Sequence, residues 1–188
     1  MPNICDNVIE IKGDNESLER LIAIVRSDDI NFDFNNIIPE PSEIDFENKV
    51  VFSNTGEPIN WYEWRMINWG TRSNSNIDNP PSIDQSDGFV EVSFGTAWSP
   101  ALEITAELSI RFPNLTFNHR YEEPNMDFSG YAVYQAGQVL EEFYGDYDAY
   151  PVSEHLYYCD NCDEECPPDK FDFDRYLCKN CAENIVEE

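Results

Sequence analysis

Apolar and polar residues follow two periods along the first two thirds of the chain, and these periods predict strands and amphipathic helices. Residues 7–12 alternate, with Ile9 and Ile11 on one side, as in a half-buried strand. A helix is predicted next, capped by Asp14 or Asn15. Its apolar stripe comprises Leu18, Leu21, Ile22 and Val25, at positions i, i+3, i+4 and i+7.

Two further helices are predicted in the middle of the chain. Residues 59–70 indicate a short helix that ends at Gly70, because glycine commonly terminates helices. The next helix is predicted to be capped by Ser99, with Pro100 at its first position, and to end at Pro113. Its core face comprises Ala101, Ile104 and Leu108.

The remaining strands are predicted at 89–96 and 115–123 and in a hairpin that turns at Ala136–Gly137. Residues 32–50 and 71–88 are rich in proline and polar residues and are predicted to be loops. This order of elements is typical of an α+β fold, with a ferredoxin-like antiparallel sheet and helices on one face. The composition changes near residue 150, which predicts one domain at 1–150 and a small tail at 151–188.

The charge of the chain is far from neutral. Its 188 residues include 38 acidic and 11 basic side chains, for a net charge of −27. This balance disfavours direct binding to DNA or RNA, because such binding depends on Lys and Arg at phosphates. It favours a partner with a basic surface, or a site that otherwise holds nucleic acid. The 41% hydrophobic and 14% aromatic content indicates a folded core.

The chain begins with "MPNICDNVIEIKGDNE", which lacks the basic start and apolar run of a signal peptide. No segment is apolar over a membrane-spanning length. We therefore expect a protein of the bacterial cytoplasm that does not associate with a membrane. Thiols are kept reduced in that compartment, so clustered cysteines favour a metal site over disulfides.

Five of the six cysteines lie in the tail, and four of them have the spacing of a structural zinc site. The pair Cys159 and Cys162 is separated by fifteen residues from the pair Cys178 and Cys181. Four thiolates close a tetrahedral shell around Zn²⁺, and metal binding supplies folding energy that this small segment lacks in apolar bulk. The tail is therefore predicted to be a zinc knuckle or ribbon, with residues 171–173 as the strand between the cysteine pairs.

Alternatives to this ligand set remain open at the level of the sequence. Cys166 could replace Cys162 as a ligand or stay a free thiol, and His155 is a weaker substitute. A disulfide framework and a redox Cys-x-x-Cys pair are less favoured, the latter because neither pair opens a helix in a thioredoxin-like setting. Cys5, at the edge of the first strand, is predicted to pack as a small hydrophobic residue.

Several blocks of the chain, in order, resemble one family. They are "MPNICDNVIEI", "FDFNNIIPEP", "WYEWRMINWGT", "FGTAWSPALEI" and "RFPNLTFNHRYEEPNMDFSGYAVYQAG". Together they are similar, over roughly residues 1–140, to the Api92-like and YubB ferredoxin-like proteins of phages and conjugative plasmids. The resemblance implies a ferredoxin-like fold and a mobile-element origin, without an assigned activity. Family members usually carry another tryptophan after the "WGT" block, where this chain has Ser73 and Asn74.

The aromatic and titratable residues favour a binding protein over an enzyme. Core packing is the favoured role of the four tryptophans, and a partner-binding patch is the alternative; they are Trp61, Trp64, Trp69 and Trp98. The two histidines, His119 and His155, lie in different segments, and His119 alternates with apolar residues as in a sheet. The chain contains no Walker A, H-E-x-x-H, G-x-S-x-G or EF-hand motif.

The sequence therefore predicts a non-enzymatic phage or plasmid protein that binds a host protein through an acidic surface. Inhibition of a host defence or nucleic-acid-handling factor by DNA mimicry is the most specific form of this hypothesis. One alternative is an accessory interaction domain in replication or transfer of a mobile element. A metal-dependent hydrolase built on carboxylates is a third.

Overall fold

The computed structural model describes residues 3–42, 51–52, 58–76, 79–147, 157–159, 161–162, 165–166, 171–172 and 177–184. The chain forms two compact units, Met1–Asp148 and Ala149–Glu188. The helices are α1 (Asn15–Val25), α2 (Phe34–Ile37), α3 (Trp61–Asn68), α4 (Leu102–Arg111) and α5 (Lys179–Asn184). The strands are β1 (Ile4–Lys12), β2 (Val51–Phe52), β3 (Pro58–Ile59), β4 (Ser82–Ser86), β5 (Phe89–Ala97), β6 (Thr116–Glu123), β7 (Phe128–Gln135), β8 (Gln138–Gly145), β9 (Tyr157–Tyr158), β10 (Glu165–Cys166), β11 (Phe171–Asp172) and β12 (Leu177–Cys178).

The first unit is built on a six-stranded antiparallel sheet with the order β4-β5-β1-β6-β7-β8. Both β5 and β6 pair with β1, so they run parallel to each other and α4 connects them. The predicted α+β class and ferredoxin-like sheet are confirmed, and the sheet contains one strand more than the sequence indicated.

One face of this sheet carries the helices and the core. Because side chains alternate along a strand, Ile9 and Ile11 of β1 and their neighbours on β5 and β6 all point toward the helices. The predicted stripe of α1 is buried there as expected. Asp14 is the cap of α1, since its carboxylate accepts a hydrogen bond of 2.8 Å from the Ser17 amide.

Two features of the helices differ from the prediction. The helix α4 begins at Leu102 after Ala101, without a side-chain cap. The Ser99 hydroxyl, predicted to cap it, donates instead to the Gly70 carbonyl at 2.8 Å. The short helix α2 lies in a segment predicted to be loop; Asp33 caps it by accepting from the Asn35 amide.

Tight turns join the outer strands on both sides of the sheet. Ala136 and Gly137 have φ values of 51° and 76°, which confirms the predicted hairpin between β7 and β8. The hairpin between β4 and β5 turns at Gly88, whose φ is 69°. The prediction of a loop throughout 71–88 was therefore wrong for Ser82–Ser86, which form β4.

Ser73 and Asn74, which stand where relatives usually have tryptophan, make polar contacts. The Ser73 hydroxyl accepts from the Ala97 amide at 2.9 Å. The Asn74 side chain accepts from the Phe34 amide at 3.0 Å and donates to Asp33 at 2.8 Å. These bonds connect the segment before β4 to β5 and to the start of α2.

In the second unit, the described residues form two short strand pairs and the helix α5. In this unit β9 pairs with β10, β11 pairs with β12, and α5 follows β12 directly. The strand predicted at 171–173 is described for Phe171 and Asp172, and Phe173 lies outside the described residues.

Candidate functional site

Four cysteines of the second unit converge. The Sγ atoms of Cys159, Cys162, Cys178 and Cys181 all lie within 4.8 Å of one another. Cys159 follows β9, Cys178 ends β12, and Cys181 lies in the first turn of α5. The expectation that neither pair opens a helix is therefore wrong for Cys178 and Cys181, because α5 begins between them. The two Cys-x-x-Cys pairs are therefore brought together, as their spacing indicated, and the cluster could hold a metal ion.

The distances fit a four-thiolate metal shell better than disulfides. Zinc–sulfur bonds of about 2.3 Å place the sulfurs of a tetrahedron about 3.8 Å apart. Cys162 Sγ and Cys178 Sγ are 4.0 Å apart, roughly twice the length of a disulfide bond. All four residues are free thiols in the structure.

Hydrogen-bond donors surround these sulfurs. The Cys181 amide and the Asn161 side chain each donate to a cysteine sulfur at 3.4 Å, on Cys178 and Cys181 respectively. Burial acts to raise the pKa of the Cys159 thiol, but hydrogen bonds from the backbone at Cys178, Asn161 and Cys162 outweigh it and lower the pKa to about 6. Thiolate is the form that binds metal, so this environment favours the ligand state at Cys159. The pKa of the Cys178 thiol is raised instead, because the hydrogen bond from the Cys181 amide, which lowers it, is outweighed by the side chains of Cys181 and Cys159 and by burial.

The alternative ligands are not settled by the geometry. Cys166 lies in β10 opposite Tyr157, and its side chain is outside the described part of the structure. His155 also lies outside the described residues. Cys5 is fully buried beside Tyr121 and Phe128, as predicted for a packed small residue, and burial raises its pKa to about 12.

The four candidate tryptophans divide into core and surface. Trp69 is fully buried and packs against Trp64, with their rings 5.7 Å apart, so the predicted core role is confirmed for both. Trp61 is half-buried, and the Arg65 guanidinium lies 5.4 Å from its ring. Trp98 is 39% exposed.

Trp98 adopts a backbone conformation that is uncommon for a bulky residue, with φ of 67°. The Arg72 guanidinium lies 4.0 Å from the centre of its ring, in cation–π geometry. The Trp98 amide also donates to the Asn3 carbonyl at 3.1 Å. The first contact is made by the exposed ring, and the second fixes the backbone that carries it.

His119 is a satisfied histidine of the sheet, as its alternation with apolar residues predicted, and its polar partners are residues that the sequence does not reveal. Its Nε2 lies 3.0 Å from Asn7 Oδ1 and its Nδ1 lies 2.7 Å from the Thr105 hydroxyl. The Asn7 amide group donates to Cys5 O and Thr96 Oγ1, so its oxygen is the acceptor and Nε2 carries the proton. Burial lowers the pKa of His119 to about 3, so the ring is neutral and is held as a structural group.

The face of the sheet opposite the helices carries paired acidic side chains. Asp84, Glu91 and Glu10 lie directly opposite one another on three adjacent strands, β4, β5 and β1. Asp6 and Glu122 form a second opposed pair on β1 and β6. These five residues are called the carboxylate face below. The face depends on β4, which the sequence does not predict; the Asp87–Gly88 pair, typical of a two-residue hairpin turn before the alternating strand β5, is the signal that indicates it.

Few basic side chains share this face. Arg120 and Lys12 lie on it, and Arg120 donates to Glu10 at 2.7 Å. Opposed side chains on neighbouring strands have Cβ atoms only about 5 Å apart, and like charges at that distance destabilise a sheet. Repulsion within the carboxylate face therefore disfavours the folded sheet, and the other interactions of the sheet outweigh it.

The first unit is a ferredoxin-like α+β domain, and the second unit carries a four-cysteine cluster. Residues 68–160 match the family model described as the ferredoxin-like domain in Api92-like protein. The chain is 30% identical over 86 residues to the uncharacterized protein YubB of Escherichia coli K12, across 45% of this chain and 58% of that protein. The match thus spans less than two thirds of that relative.

A solved structure extends the similarity of fold. The structure of protein api92 from Yersinia pseudotuberculosis superposes with a TM-score of 0.51, covering 80% of this chain and all of that one, at 11% identity. The resemblance to Api92-like and YubB proteins inferred from the sequence blocks is thereby confirmed. Within the described residues, no helix is long and apolar enough to cross a membrane.

Proposed function

We propose that this protein binds a protein partner with a basic surface through its carboxylate face, and that it acts by occupancy rather than by chemistry. The opposed acids at Asp84, Glu91 and Glu10 carry the proposal. Such pairs oppose folding, and a basic partner would convert that unfavourable repulsion into favourable contacts.

The net charge of −27 supports the same proposal at long range. A surface of one sign attracts an oppositely charged partner and raises the association rate, and salt weakens this effect. Proteins that handle nucleic acid have the required basic surface. The specific form of the proposal is that the carboxylate face occupies the nucleic-acid channel of a host factor, such as a defence nuclease, in place of DNA.

Capture from a bacterial lysate tests this proposal. The tagged chain is incubated at low salt and eluted with a salt gradient, and the eluted proteins are identified by mass spectrometry. We expect a basic, nucleic-acid-handling protein that salt releases and that duplex DNA displaces. A partner that resists both salt and DNA would contradict the mimicry, and would point to an apolar interface.

A matched pair of variants locates the surface. Asp84→Asn/Glu91→Gln removes two charges from the carboxylate face and leaves the Arg120–Glu10 ion pair intact. Glu19→Gln/Asp28→Asn removes two exposed charges on and after α1. The first should weaken binding of the captured protein by about tenfold or more, whereas the second should have a several-fold smaller effect. Equal effects would mean that net charge, and not this face, determines binding.

We also propose that the four-cysteine cluster binds Zn²⁺ in a structural role. Cys159, Cys162, Cys178 and Cys181 would supply a closed shell without an open position for substrate. The donors at Asn161 and Cys181 would stabilise the thiolates by hydrogen bonds to sulfur. The metal would fold the second unit, which spans only residues 149–188 and whose described strands are two residues long.

Metal analysis of single variants tests the ligand set. The purified chain should contain about one zinc per chain, and Cys162→Ser should lose it. Cys166→Ser is the matched control, because it removes a thiol from the same segment and should retain the metal. If Cys166→Ser lost zinc and Cys162→Ser retained it, Cys166 would be the ligand in place of Cys162. Iron instead of zinc in the purified chain would contradict the assignment of Zn²⁺.

A further inference from the structure

The strand β8 is the last strand in the order of the six-stranded sheet. Among the described residues, β8 pairs with β7 alone. Residues 138–142 are all exposed, and large apolar side chains are prominent on this strand. Val139 is 50% exposed, Leu140 is 56% exposed and Tyr144 is 71% exposed. Natural sheet edges usually avoid such side chains, because open apolar edges recruit other strands.

The apolar surface continues from β8 onto α4. Val139 pairs with Tyr134 of β7, which belongs to the core, so Val139 points to the helix side of the sheet. Ile110 of α4 is 58% exposed and packs close to Gly137, at the turn that leads into β8. Tyr144 lies on the same side, with its ring 6.0 Å from that of Phe128. The β8 edge is defined here as β8 together with Ile110.

Acidic side chains border these apolar residues on both sides of the sheet. Glu142 pairs with Ala132 and lies on the helix side of the sheet. Burial, together with the negative charges of Glu103 on α4 and of Glu142, raises the pKa of Tyr134 to about 12. Glu141 lies on the opposite side and accepts a hydrogen bond of 2.5 Å from the Tyr131 hydroxyl. This places Glu141 on the same face of the sheet as the carboxylate face.

Charge determines which strand could add to this edge. A second copy added by antiparallel pairing would bring Glu141 and Glu142 close to the same acidic residues of the other copy, between two chains of charge −27 each. Residues 151–188 of the same chain carry 11 acidic and 3 basic side chains and would meet the same repulsion. An added strand with basic side chains toward Glu141 and apolar side chains toward Val139 would match the residues on both sides of the edge, while the exposed Glu142 carboxylate stays in solvent.

We propose that the β8 edge docks an extended segment of the partner protein, in which basic and apolar side chains alternate, by backbone pairing with Gln138–Glu142. The inference rests on the proposed function, since it assumes a basic partner. It adds that a segment of this partner pairs with β8 as a further strand of the sheet. The basic side chains of the segment lie on the side of the carboxylate face, and the apolar ones cover Ile110, Val139 and Tyr144.

A synthetic peptide tests the inference on the full chain. The probe is a fluorescein-labelled peptide of about nine residues with alternating lysine and valine, long enough to span the eight residues of β8. We expect saturable binding by fluorescence anisotropy, with slower hydrogen exchange at residues 138–142. A peptide with glutamate for lysine should not bind, and one N-methylated on the pairing edge should bind at least tenfold more weakly.

Variants of the edge and matched variants elsewhere separate docking from general attraction. Glu141→Lys and Tyr144→Ser should each weaken peptide binding several-fold or more. Glu19→Lys on α1 repeats the charge change, and Ile67→Ser on α3 removes another exposed apolar side chain; both lie outside the β8 edge and should change peptide binding less than twofold. Equal binding of the N-methylated peptide, protection outside β8, or no binding in the millimolar range would overturn the inference. Protection of β8 that depends on the concentration of the free chain would assign the edge to a second copy and would also overturn it.

The outcome is distinguishable from that of the proposed function. If the natural partner is captured and depends on Asp84 and Glu91, but the peptide does not bind, the β8 assignment alone fails. If the peptide protects β8 but no basic protein is captured, the proposed host interaction fails and the docking edge stands.

Discussion

His119 shows how a single side chain constrains both fold and function. It is fully buried on β6, and its ring joins Asn7 of β1 to Thr105 of α4. Asn7 also accepts from the Ala101 amide at 3.3 Å, at the start of α4. This one network therefore fixes two strands and the crossover helix relative to one another. A histidine with both nitrogens engaged and no exposure is unsuited to proton transfer with a substrate.

The pH dependence of stability should report this burial. The pKa of His119 is about 3 when folded and about 6.5 when unfolded. Above pH 6.5 both states are neutral, whereas below it the unfolded chain binds a proton that the folded chain does not. The free energy of unfolding should thus fall by roughly 1 to 2 kcal/mol between pH 6.5 and 5, and continue to fall toward pH 3.

The His155→Gln variant isolates this effect, because it leaves His119 as the only histidine. Urea titrations at several pH values give the free energy, and nitrogen chemical shifts of the ring give its protonation. Folded protein at pH 5 should show a neutral ring with the proton on Nε2, while the chain in concentrated urea should titrate near 6.5. A folded ring that charges near pH 6 would contradict the assigned burial.

At the level of elements, the sequence predicted those that bury a periodic stripe. The apolar spacing of α1 and the alternation of β1 report contacts with the core, so both elements were found. By contrast, β4 is an edge strand whose only large apolar residue is Ile83, so its sequence shows no alternation of apolar and polar residues that would predict a strand. The start of α4 is fixed by a distant residue, Asn7, which local capping rules do not include.

The capping box of α3 provides a test at this scale. The Asn60 side chain accepts from the Tyr62 and Glu63 amides, and the Glu63 carboxylate accepts from the Asn60 amide at 2.9 Å. Asn60→Ala should reduce the free energy of unfolding by about 1 kcal/mol, because two amides at the helix start lose their acceptor. Asn60→Asp retains an acceptor and should stay within about 0.5 kcal/mol of the parent. Denaturant titration measures both, and equal losses would contradict a capping role.

The cysteine cluster and the carboxylate face differ in how far the sequence could predict them. Cysteines of a metal site are read from spacing alone, because two residues between thiols suit one ion. The carboxylate face depends on register: Asp84, Glu91 and Glu10 are far apart in sequence and become neighbours only through the pairing of three strands. A one-residue change of register would turn one of them toward the core.

For the whole molecule, the net charge and the ion pairs act in opposite directions on stability. The three described ion pairs are Arg65–Glu40, Arg111–Glu107 and Arg120–Glu10, and salt weakens such pairs. The repulsion among the unbalanced acids is also screened by salt, and this screening favours the folded state. With 38 acidic and 11 basic side chains, repulsion should dominate.

Sodium chloride should therefore raise the melting temperature while it weakens partner binding. Between about 0.02 and 0.5 M the screening length falls from tens of ångströms to a few. We expect stabilisation of about 1–2 kcal/mol, or roughly 2–8 °C in Tm, measured by calorimetry. In Asp84→Asn/Glu91→Gln the starting Tm should be higher and its salt dependence smaller, because two opposed carboxylates are absent. Since the two effects have opposite signs, loss of binding in salt could not be attributed to unfolding. A Tm that falls with salt would instead mean that the ion pairs dominate. It would contradict the claim that repulsion within the carboxylate face lowers the stability of the unbound protein.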